Sequence, residues 1–561
     1  MGLRPTRRDT LKGFAFIGGA ALAGTTGCSE DPDIPVEFLH GVASGDPEAN
    51  AVIIWTRVTA PSEVRIHWQV ATDESFADLV SEGEASAKAS NDYTVKVDVR
   101  GLEPGHSYVY RFVSGTAVSP VGRTRTLAAK DATKLRLGVV SCAHYGFGFY
   151  NVYRELAKEP DLDAILHLGD YIYEYGPEGY GGDVAKEIGR EPEPPHEIVT
   201  LEDYRARFSQ YRRDADLQAA HAAAPFITIW DDHETANDAW RHGAENHDPE
   251  TEGDWATRRD NALRAWHDWL PVREAEPLKA RYGAVEIGDL ATLIFVETRL
   301  TARSEELTLD TFPIPVESDP EDPENRAAVQ RWRDEVIGDP DRRLIDDGQR
   351  AMIGEALAAS VQAGKPWRII ANQVLMGRLE APNYLTQTPL WLRTYMRLQG
   401  GFNWHFAQRT AHGVPMNLDS WDGFPADRER LYQTVRDAGA DIVVLTGDTH
   451  NTWVCDLHDA GGTRIGTEFG VTSVTSPSPF ETVNAPGVDF GLMAEDRNRE
   501  ILRNNAWDRG YTRLTVTPGE IIAEQMILST IKAREFSIRP DGVWRVRPAL
   551  GGPVPPVERI G

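Results

Sequence analysis

Cysteine is scarce in this sequence, with three residues in a chain of 561. The three are Cys28, Cys142 and Cys455. So few thiols exclude a small scaffold held together by disulfides, even in an oxidising compartment. The fold must therefore rest on a hydrophobic core. A single bridge between Cys142 and Cys455 is the alternative to two free thiols.

Basic residues are few relative to acidic ones. The chain has 59 Lys and Arg against 86 Asp and Glu, which gives a formal net charge of −27 at pH 7. Such a field repels a nucleic-acid backbone and attracts cations. We therefore expect no nucleic-acid-binding domain, and most of this charge is typical of a solvated surface.

Apolar runs long enough to cross a membrane are also lacking, since none reaches the roughly 18 residues that a span requires. The run Phe14 to Ala23 instead follows the basic segment Thr6 to Lys12, whose Arg7-Arg8 pair fits the twin-arginine export pattern. Residues 1–28 are therefore predicted to be a signal peptide that the twin-arginine translocase reads. The mature protein is then periplasmic, on the cell surface or secreted, with no transmembrane helix.

Two processing routes remain open for this segment. Ala21-Leu22-Ala23 suits ordinary signal cleavage, whereas Thr25-Thr26-Gly27-Cys28 is similar to a lipoprotein site. Cleavage at the second site would leave a lipid anchor on Cys28.

Two phosphate- and acyl-transfer signatures are missing as well. The sequence has neither the Gly-x-Ser-x-Gly nucleophile elbow nor the Gly-x-x-x-x-Gly-Lys phosphate loop. This argues against acyl transfer by a serine and against nucleotide hydrolysis by a P-loop.

The segment 36–128 has the alternating pattern of β-strands that have one buried face. Val64, Ile66, Trp68 and Val70 occupy every second position. A turn followed by alternating aromatics near residue 108 resembles the fibronectin type III sandwich. We predict a small all-β domain here, without catalytic residues.

After residue 130 the pattern changes to short, continuous apolar runs separated by helix-like stretches. Such runs are expected of strands covered on both faces, and so of a layered α/β domain over residues 131–561. The predicted strands are Leu135 to Val140, Ala164 to Leu168, Phe226 to Trp230, Ala291 to Val296, Trp367 to Ile370 and Asp441 to Leu445. The predicted helices are Phe149 to Lys158, Trp255 to Trp269 and Gly348 to Ala363.

Side chains that bind metals follow several of these strands. The stretches are Ser141-Cys142-Ala143-His144, Gly169-Asp170-Tyr171-Ile172-Tyr173, Trp230-Asp231-Asp232-His233-Glu234-Thr235-Ala236-Asn237 and Gly447-Asp448-Thr449-His450. Carboxylate, imidazole, thiolate and phenolate together suit a hard or mixed-metal centre better than a structural zinc site. Asp170 is the predicted bridging carboxylate, because Gly169 permits a tight turn at the strand end. Helix capping is the alternative role for Asp170 and Asp448.

Taken together, these motifs resemble the alkaline phosphatase D (PhoD) family, from about Gly41 to beyond Pro479. The order of ligand types is also similar to that of the purple acid phosphatases. The resemblance implies a four-layer α/β/β/α metallophosphatase domain behind the β-sandwich. It also implies hydrolysis of phosphodiesters, and of phosphomonoesters, by in-line attack of a metal-bound hydroxide.

The resemblance further implies a ligand set. Cys142, Asp170, Tyr173 and His450 would surround an Fe(III) ion, with Cys142 in place of the Asp of purple acid phosphatases. Asp170 would bridge to a divalent ion completed by Asp232, Asn237 and Asp448, where ligation by oxygen alone favours Ca²⁺ over zinc. Tyr171 and Tyr175 are alternatives to Tyr173, and His144 is favoured as a supporting histidine rather than a ligand.

Two further residues are predicted to act on the substrate. His233 would donate a proton to the departing alkoxide, or else be a buried structural histidine. Arg299 would clamp the phosphate, or else form a surface salt bridge. Glu297 and Thr301, which flank Arg299, depart from the family pattern.

Two other functions remain as alternatives at this point. One is a phospholipase D-like phosphodiesterase. The other is a non-enzymatic, calcium-binding module of the cell surface.

Overall fold

The structure is a computed structural model that describes residues 34–273, 281–483, 485 and 487–561. The predicted signal peptide, residues 1–28, lies outside the described residues, and so does the alternative lipid site at Cys28. Among the residues that the structure describes, no helix has both the length and the apolar character needed to cross a membrane.

The first part of the described chain is all-β, as predicted. Its two sheets enclose a core that includes Ile66, Val95 and Tyr110. One sheet has the order β4-β3-β6-β7, with β8 also paired to β6, and the other contains β1, β2 and β5. The strands are β1 (Val42–Gly45), β2 (Ala51–Arg57), β3 (Val64–Ala71), β4 (Leu79–Ala87), β5 (Thr94–Arg100), β6 (Ser107–Ser114), β7 (Ala117–Val118) and β8 (Gly122–Arg125).

The rest of the chain alternates strands and helices and then ends in strands. The strands are β9 (Leu135–Val140), β10 (Ala164–His167), β11 (Phe226–Thr228), β12 (Gly283–Ile287), β13 (Ala291–Phe295), β14 (Trp367–Ala371), β15 (Ile442–Thr446), β16 (Thr452–His458), β17 (Arg464–Gly470), β18 (Ile501–Asn505), β19 (Arg509–Val516), β20 (Ile521–Leu528), β21 (Ile538–Val546) and β22 (Glu558–Arg559). All six predicted strands are confirmed: β9 has the predicted bounds, and the ends of the other five differ by at most two residues.

The α-helices are α1 (Asn151–Leu156), α2 (Gly182–Ile188), α3 (Leu201–Arg212), α4 (Ala215–Ala223), α5 (Pro249–Glu252), α6 (Trp255–Trp269), α7 (Pro323–Arg331), α8 (Asp347–Gln362), α9 (Tyr384–Gln387), α10 (Leu390–Gln399), α11 (Gly401–Arg409), α12 (Pro425–Asp437) and α13 (Phe490–Arg497). Short 3₁₀ turns lie at Ala89–Asn91, Tyr145–Phe147, Leu309–Thr311, Thr410–His412, Trp421–Gly423 and Pro479–Val483, and a π-helical turn at Trp332–Ile337 follows α7.

Local sequence accounts for the helix that was predicted with its exact bounds. Asp254 precedes α6, and its side chain accepts a hydrogen bond from the Thr257 N–H at 3.1 Å, which caps the first turn. Trp266 and Trp269 lie on the buried face of this helix. Capping and an apolar face therefore act together to place α6 against the sheet.

Two large sheets form the centre of the molecule. The ten-stranded sheet has the order β22-β21-β20-β19-β9-β10-β11-β1-β2-β5, and the seven-stranded sheet has the order β12-β13-β14-β15-β17-β16-β18. Within the first sheet β9, β10 and β11 are parallel, and within the second so are β13, β14, β15 and β17. An apolar core that includes Leu137, Leu293 and Leu445 fills the space between the sheets.

Helices cover the outer faces of both sheets. Residues of α1, α3, α4 and α6 pack on the ten-stranded sheet, and residues of α8 and α12 pack on the seven-stranded one. The chain therefore has the four-layer α/β/β/α arrangement that was predicted, preceded by the β-sandwich.

The sandwich and the α/β layers share a sheet. The first strand, β1, runs parallel to β11 with Gly45 opposite Phe226, so β1, β2 and β5 extend the ten-stranded sheet. The division of the chain into residues 36–128 and 131–561 therefore stays a prediction.

The carboxyl ends of the parallel strands meet at one edge of the molecule. Ser141, just after β9, forms a parallel bridge with Ser473, which follows β17 in the other sheet. In addition, a Cβ atom on Gly447, just after β15, would lie 2.7 Å from the Ser141 side chain. Loops from both sheets are therefore in contact where the metal-binding motifs were predicted.

Candidate metal centre

Four of the predicted ligands have left-handed backbone conformations. The φ angles are 58° for Cys142, 57° for Asp170, 62° for Asp448 and 59° for His450. Such values are uncommon for residues other than glycine, and they cluster at functional sites where the surrounding structure enforces them. Each of these residues follows a parallel strand, so the strain lies at the edge where the two sheets meet.

Backbone hydrogen bonds tie the first two loops together. The Cys142 N–H donates to the Gly169 carbonyl at 3.1 Å, and the Ala143 N–H donates to the Asp170 carbonyl at 2.9 Å. The Cys142 sulfur, a carboxylate oxygen of Asp170 and a ring nitrogen of His450 lie within 4.8 Å of one another. These three residues could therefore hold one cation.

Tyr173 belongs to the same group. Its hydroxyl donates to Asp170 Oδ2 at 3.0 Å and lies 3.3 Å from His450 Nε2, and it accepts a hydrogen bond from Ser476 Oγ at 2.8 Å. The competing Tyr171 instead pairs with the buried His221 at 2.8 Å. Of these two tyrosines the structure thus brings Tyr173 to Asp170.

Carboxylates crowd the other side of Asp170. Ligand atoms of Asp170, Asp232 and His233 lie within 4.8 Å of one another, and so do those of Asp231, Asp232 and Asp448. Asn237 lines the same cavity as Asp170, Asp232 and Asp448. The structure therefore brings the seven predicted ligands to a single region, and their role in binding metals stays a prediction.

Orphaned oxygen atoms in this region fit bound cations. Asp170 Oδ1 and Asp232 Oδ1 are buried and have no hydrogen-bond partner among the described residues. A buried carboxylate oxygen without a partner is costly, and a cation removes that cost. Oxygen, nitrogen and sulfur donors at these distances therefore suit metal ligation.

The pKa values of the site residues also favour the binding of cations. Burial raises the pKa of Asp170 well above its usual range, and repulsion from Asp232 adds to this. Burial likewise raises the pKa of Asp448, with repulsion from Asp231. Burial lowers the pKa of His450 to about 3, so this imidazole is neutral and its ring can act as a ligand. The carboxylates are unfavourable as bare anions here, which is the electrostatic condition for binding cations.

His450 is oriented by the backbone. Its Nδ1 lies 2.6 Å from the Pro477 carbonyl, and this contact leaves Nε2 facing Tyr173 and Asp170. A second hydrogen bond of this kind is the usual way to fix which ring nitrogen of a histidine meets a metal.

His233 is held by a glutamate to which sequence reasoning gave no role. Its Nδ1 lies 2.8 Å from Oε2 of Glu174, which is fully buried. The other oxygen, Glu174 Oε1, accepts from the Asn237 N–H at 2.8 Å. Burial alone would lower the pKa of His233, but the Glu174 and Asp232 carboxylates outweigh it and raise the pKa well above the usual value. His233 can therefore hold a proton beside the cavity that it lines.

Glu234 is a second supporting carboxylate that sequence reasoning missed. It accepts hydrogen bonds from the N–H groups of Asp170 at 3.1 Å, Tyr171 at 2.6 Å and Asp231 at 2.8 Å. These bonds lock the loop after β10 to the loop after β11. Glu234 lies inside one of the quoted motifs and Glu174 directly follows another, but most of their partners belong to segments distant in the chain.

Arg299 lies beneath the carboxylates and not at the surface, so the alternative of a surface salt bridge is wrong. Its side chain is fully buried, and its guanidinium contacts Asp231 at 2.5 Å, Asp419 at 2.7 Å and Asp448 at 3.4 Å. The departure at Glu297 also has a role, because Glu297 Oε1 accepts from the Arg299 N–H at 2.9 Å. The predicted phosphate clamp stays a prediction.

A further carboxylate group borders the same cavity. Ligand atoms of Asp238, Glu306 and Asp419 lie within 4.8 Å of one another. Burial raises the pKa of Glu306 to about 7, and Asp419 adds to the effect. Sequence reasoning missed Glu306 and Asp419, which lie in loops outside the strand-end motifs.

The structure also shows the state of the two described cysteines and the surroundings of His144. Cys142 and Cys455 are both free thiols, so the alternative of a disulfide between them is wrong. His144 Nδ1 accepts from the Gly146 N–H at 3.1 Å, and its ring lies 4.5 Å from the Tyr173 ring. This arrangement agrees with a supporting role for His144.

The cavity beside these residues has a volume of about 610 Å³ and two unlike sides. One side consists of the acidic and imidazole side chains described above. The other side is largely apolar and includes Tyr384, Leu392, Met396, Phe406, Phe480 and Phe490. The site can therefore receive a molecule that combines a phosphate group with an apolar substituent.

Comparisons with known proteins agree with this geometry. The family model described as PhoD-like phosphatase matches residues 137–525, and the model for the N-terminal domain of such phosphatases matches residues 24–128. Alkaline phosphatase D of Bacillus subtilis (strain 168) is 32% identical over 550 residues, covering 93% of this chain and 84% of that protein. A solved structure described as "Structure of PhoD" is 29% identical with a TM-score of 0.74, covering 93% of this chain and 92% of that one. The resemblance seen in the motifs is confirmed.

The first test concerns the thiol. Cys142→Ser should weaken metal binding by about tenfold or more, which is the scale known even for outer partners of metal ligands. Cys455→Ser is the matched control, because Cys455 is also a buried free thiol but lies in β16. Inductively coupled plasma mass spectrometry of both purified variants gives the metal content. Equal metal content in the two variants would contradict a role for Cys142 as a ligand.

Proposed function

The chain belongs to the PhoD-like phosphatase family and is a phosphoric ester hydrolase, and from this premise we propose that it is a metal-dependent phosphodiesterase that also accepts phosphomonoesters. The observation that carries the proposal is the convergence of Cys142, Asp170, Asp232 and His450 on one region. The alternative of a non-enzymatic calcium-binding module is wrong, given the family.

The proposed cofactors are Fe(III) and Ca²⁺. Thiolate, phenolate, imidazole and carboxylate from Cys142, Tyr173, His450 and Asp170 suit the trivalent ion. Asp170, together with Asp232, Asn237 and Asp448, would hold the Ca²⁺. When bound, such cations polarise phosphoryl oxygens and lower the pKa of water. Measurement of the metals in protein purified without added metal tests both identities, and zinc alone at full occupancy would contradict them.

Protein side chains would then handle the substrate and the proton. Glu174 holds Nδ1 of His233, which leaves Nε2 to donate a proton to the departing alkoxide. If hydroxide attacks the phosphorus in line with the leaving oxygen, the reaction needs no covalent intermediate on the protein. Arg299 is the predicted phosphate clamp, but its guanidinium would have to exchange one carboxylate for the substrate. The contacts with Asp231, Asp419 and Asp448 instead support a role in balancing their charge.

The shape of the cavity favours diesters. A phosphomonoester carries one organic group, whereas a diester carries a second one that must also find room. The apolar side formed by Leu392, Met396, Phe406 and Phe490 offers such a place. The same observation supports the second candidate, a phospholipase D-like phosphodiesterase. Rates on a monoester, a diester and a phospholipid would rank the three activities.

The first prediction for activity concerns the bridging carboxylate. Asp170→Asn should abolish turnover of bis-p-nitrophenyl phosphate, because the amide is a poorer ligand for both cations. The exposed Asp78 of the sandwich supplies the matched control, Asp78→Asn, which should keep the wild-type rate. Circular dichroism shows whether each variant is folded. A folded Asp170→Asn variant with normal activity would refute the proposal.

The second prediction separates proton donation from other roles of His233. His233→Ala should lower kcat by about 10²–10⁴ for a diester with an alkyl leaving group, the range typical of general acid catalysis. The loss should be much smaller for bis-p-nitrophenyl phosphate, because p-nitrophenolate leaves without being protonated. Steady-state kinetics on both substrates measures the two effects. An equal loss on both would show that His233 acts by another route.

Export by the twin-arginine pathway, to the periplasm, cell surface or medium, is also proposed. It is supported by Arg7-Arg8 and the apolar run that follows. Changing both arginines to lysine should leave the protein in the cytoplasm, which fractionation and immunoblotting would detect. Unchanged export of that variant would contradict the pathway. Labelling with a radioactive fatty acid would test the lipid anchor at Cys28.

A further inference from the structure

The helix α10 exposes a group of large apolar side chains. The exposed fractions are 71% for Leu390, 48% for Trp391, 50% for Tyr395 and 82% for Leu398, and we call these four residues the α10 patch. Among the described residues, fourteen large hydrophobic side chains are exposed, and four of them lie in this one helix of ten residues. Apolar groups gathered in this way mark interaction sites more often than single exposed residues do.

The patch is not the face by which α10 packs on the protein. Leu392 and Met396, four residues apart, are buried and line the cavity. Trp391, Tyr395 and Leu398 follow the spacing i, i+4, i+7, which places them together on another face. The helix is thus apolar on two sides, and among the residues that the structure describes, contacts cover only the inner side.

The charge of this segment is opposite to that of the whole protein. The stretch from Tyr384 to Arg409 contains no Asp or Glu, in a chain of net charge −27. Arg393 and Arg397 lie on α10 itself, whereas Arg409 is paired with Asp310 at 3.6 Å. A short helix with Arg, Trp, Tyr and Leu at its surface has the composition of helices that lie in a membrane interface. Its positive charge complements an anionic lipid surface.

The helix α10 lies beside the cavity that contains the carboxylates. The inner face of the helix, Leu392 and Met396, lines the same cavity as Asp170 and Asp232. A surface that covered the α10 patch would therefore lie next to the cavity.

We propose that the α10 patch docks on an anionic lipid bilayer. Trp391, Tyr395 and Leu398 would enter the headgroup region, while Arg397 meets lipid phosphates. The helix lies along the surface and does not span the bilayer. A second copy of the chain fits this face less well, because two such segments would bring arginines together without a carboxylate from either segment.

Vesicle sedimentation tests the proposal with the whole protein. The protein should bind vesicles of phosphatidylglycerol and phosphatidylcholine, and bind pure phosphatidylcholine vesicles about tenfold less, as expected when a few basic residues lose their anionic partners. Leu398→Ser should weaken binding to the anionic vesicles by about tenfold, in line with the burial of one leucine. Arg397→Glu should have an effect of similar size.

The matched control is Leu550→Ser, since Leu550 is 78% exposed but lies far along the chain from α10. This variant should bind like the wild type, and circular dichroism checks that all variants are folded. No binding to anionic vesicles, or equal binding to both vesicle types, would overturn the proposal. The proposal would also be overturned if sedimentation of the protein without vesicles showed a dimer that is lost in Leu398→Ser. Binding is measured without turnover, so a failure here is distinguishable from a failure of the proposed phosphodiesterase activity.

Discussion

The repulsion among buried carboxylates at the edge of the two sheets is the constraint on which the rest of this structure depends. Asp170, Asp231, Asp232 and Asp448 lie in overlapping groups whose ligand atoms are within 4.8 Å of one another. Arg299 and a protonated His233 offset part of this charge. Bound cations would offset the remainder, because buried anions without partners are costly. Metal binding and the stability of this edge would then be linked.

The architecture brings these residues together from distant parts of the chain. Parallel strands in both sheets end at the same edge, and the bridge between Ser141 and Ser473 joins the sheets there. Left-handed conformations at Cys142, Asp170, Asp448 and His450 then direct the chain after each strand. Glu234 holds two of the loops in place through three backbone N–H groups. The strained backbone conformations persist because these hydrogen bonds hold the loops in place.

Patterns within short segments of the sequence were sufficient to predict several strands, one helix and the types of ligand. The six buried strands and α6 follow from apolar runs and capping, and the ligand types stand directly after strands such as β9 and β10. The partners of Arg299 and the roles of Glu174 and Glu234 depend on contacts between distant segments, which no local pattern reveals. Glu306 and Asp419 were not predicted as site residues, because neither follows a core strand. The strands from β16 to β22 were not predicted either.

The central claim is that one region around Asp170 holds both a trivalent and a divalent cation. Anomalous diffraction from crystals of the protein, collected on both sides of the iron absorption edge, tests it most directly. The account predicts an iron peak among Cys142, Asp170, Tyr173 and His450, with a second, non-iron site next to Asp232 and Asp448. Absence of a peak from the first position, or zinc alone at full occupancy, would contradict it.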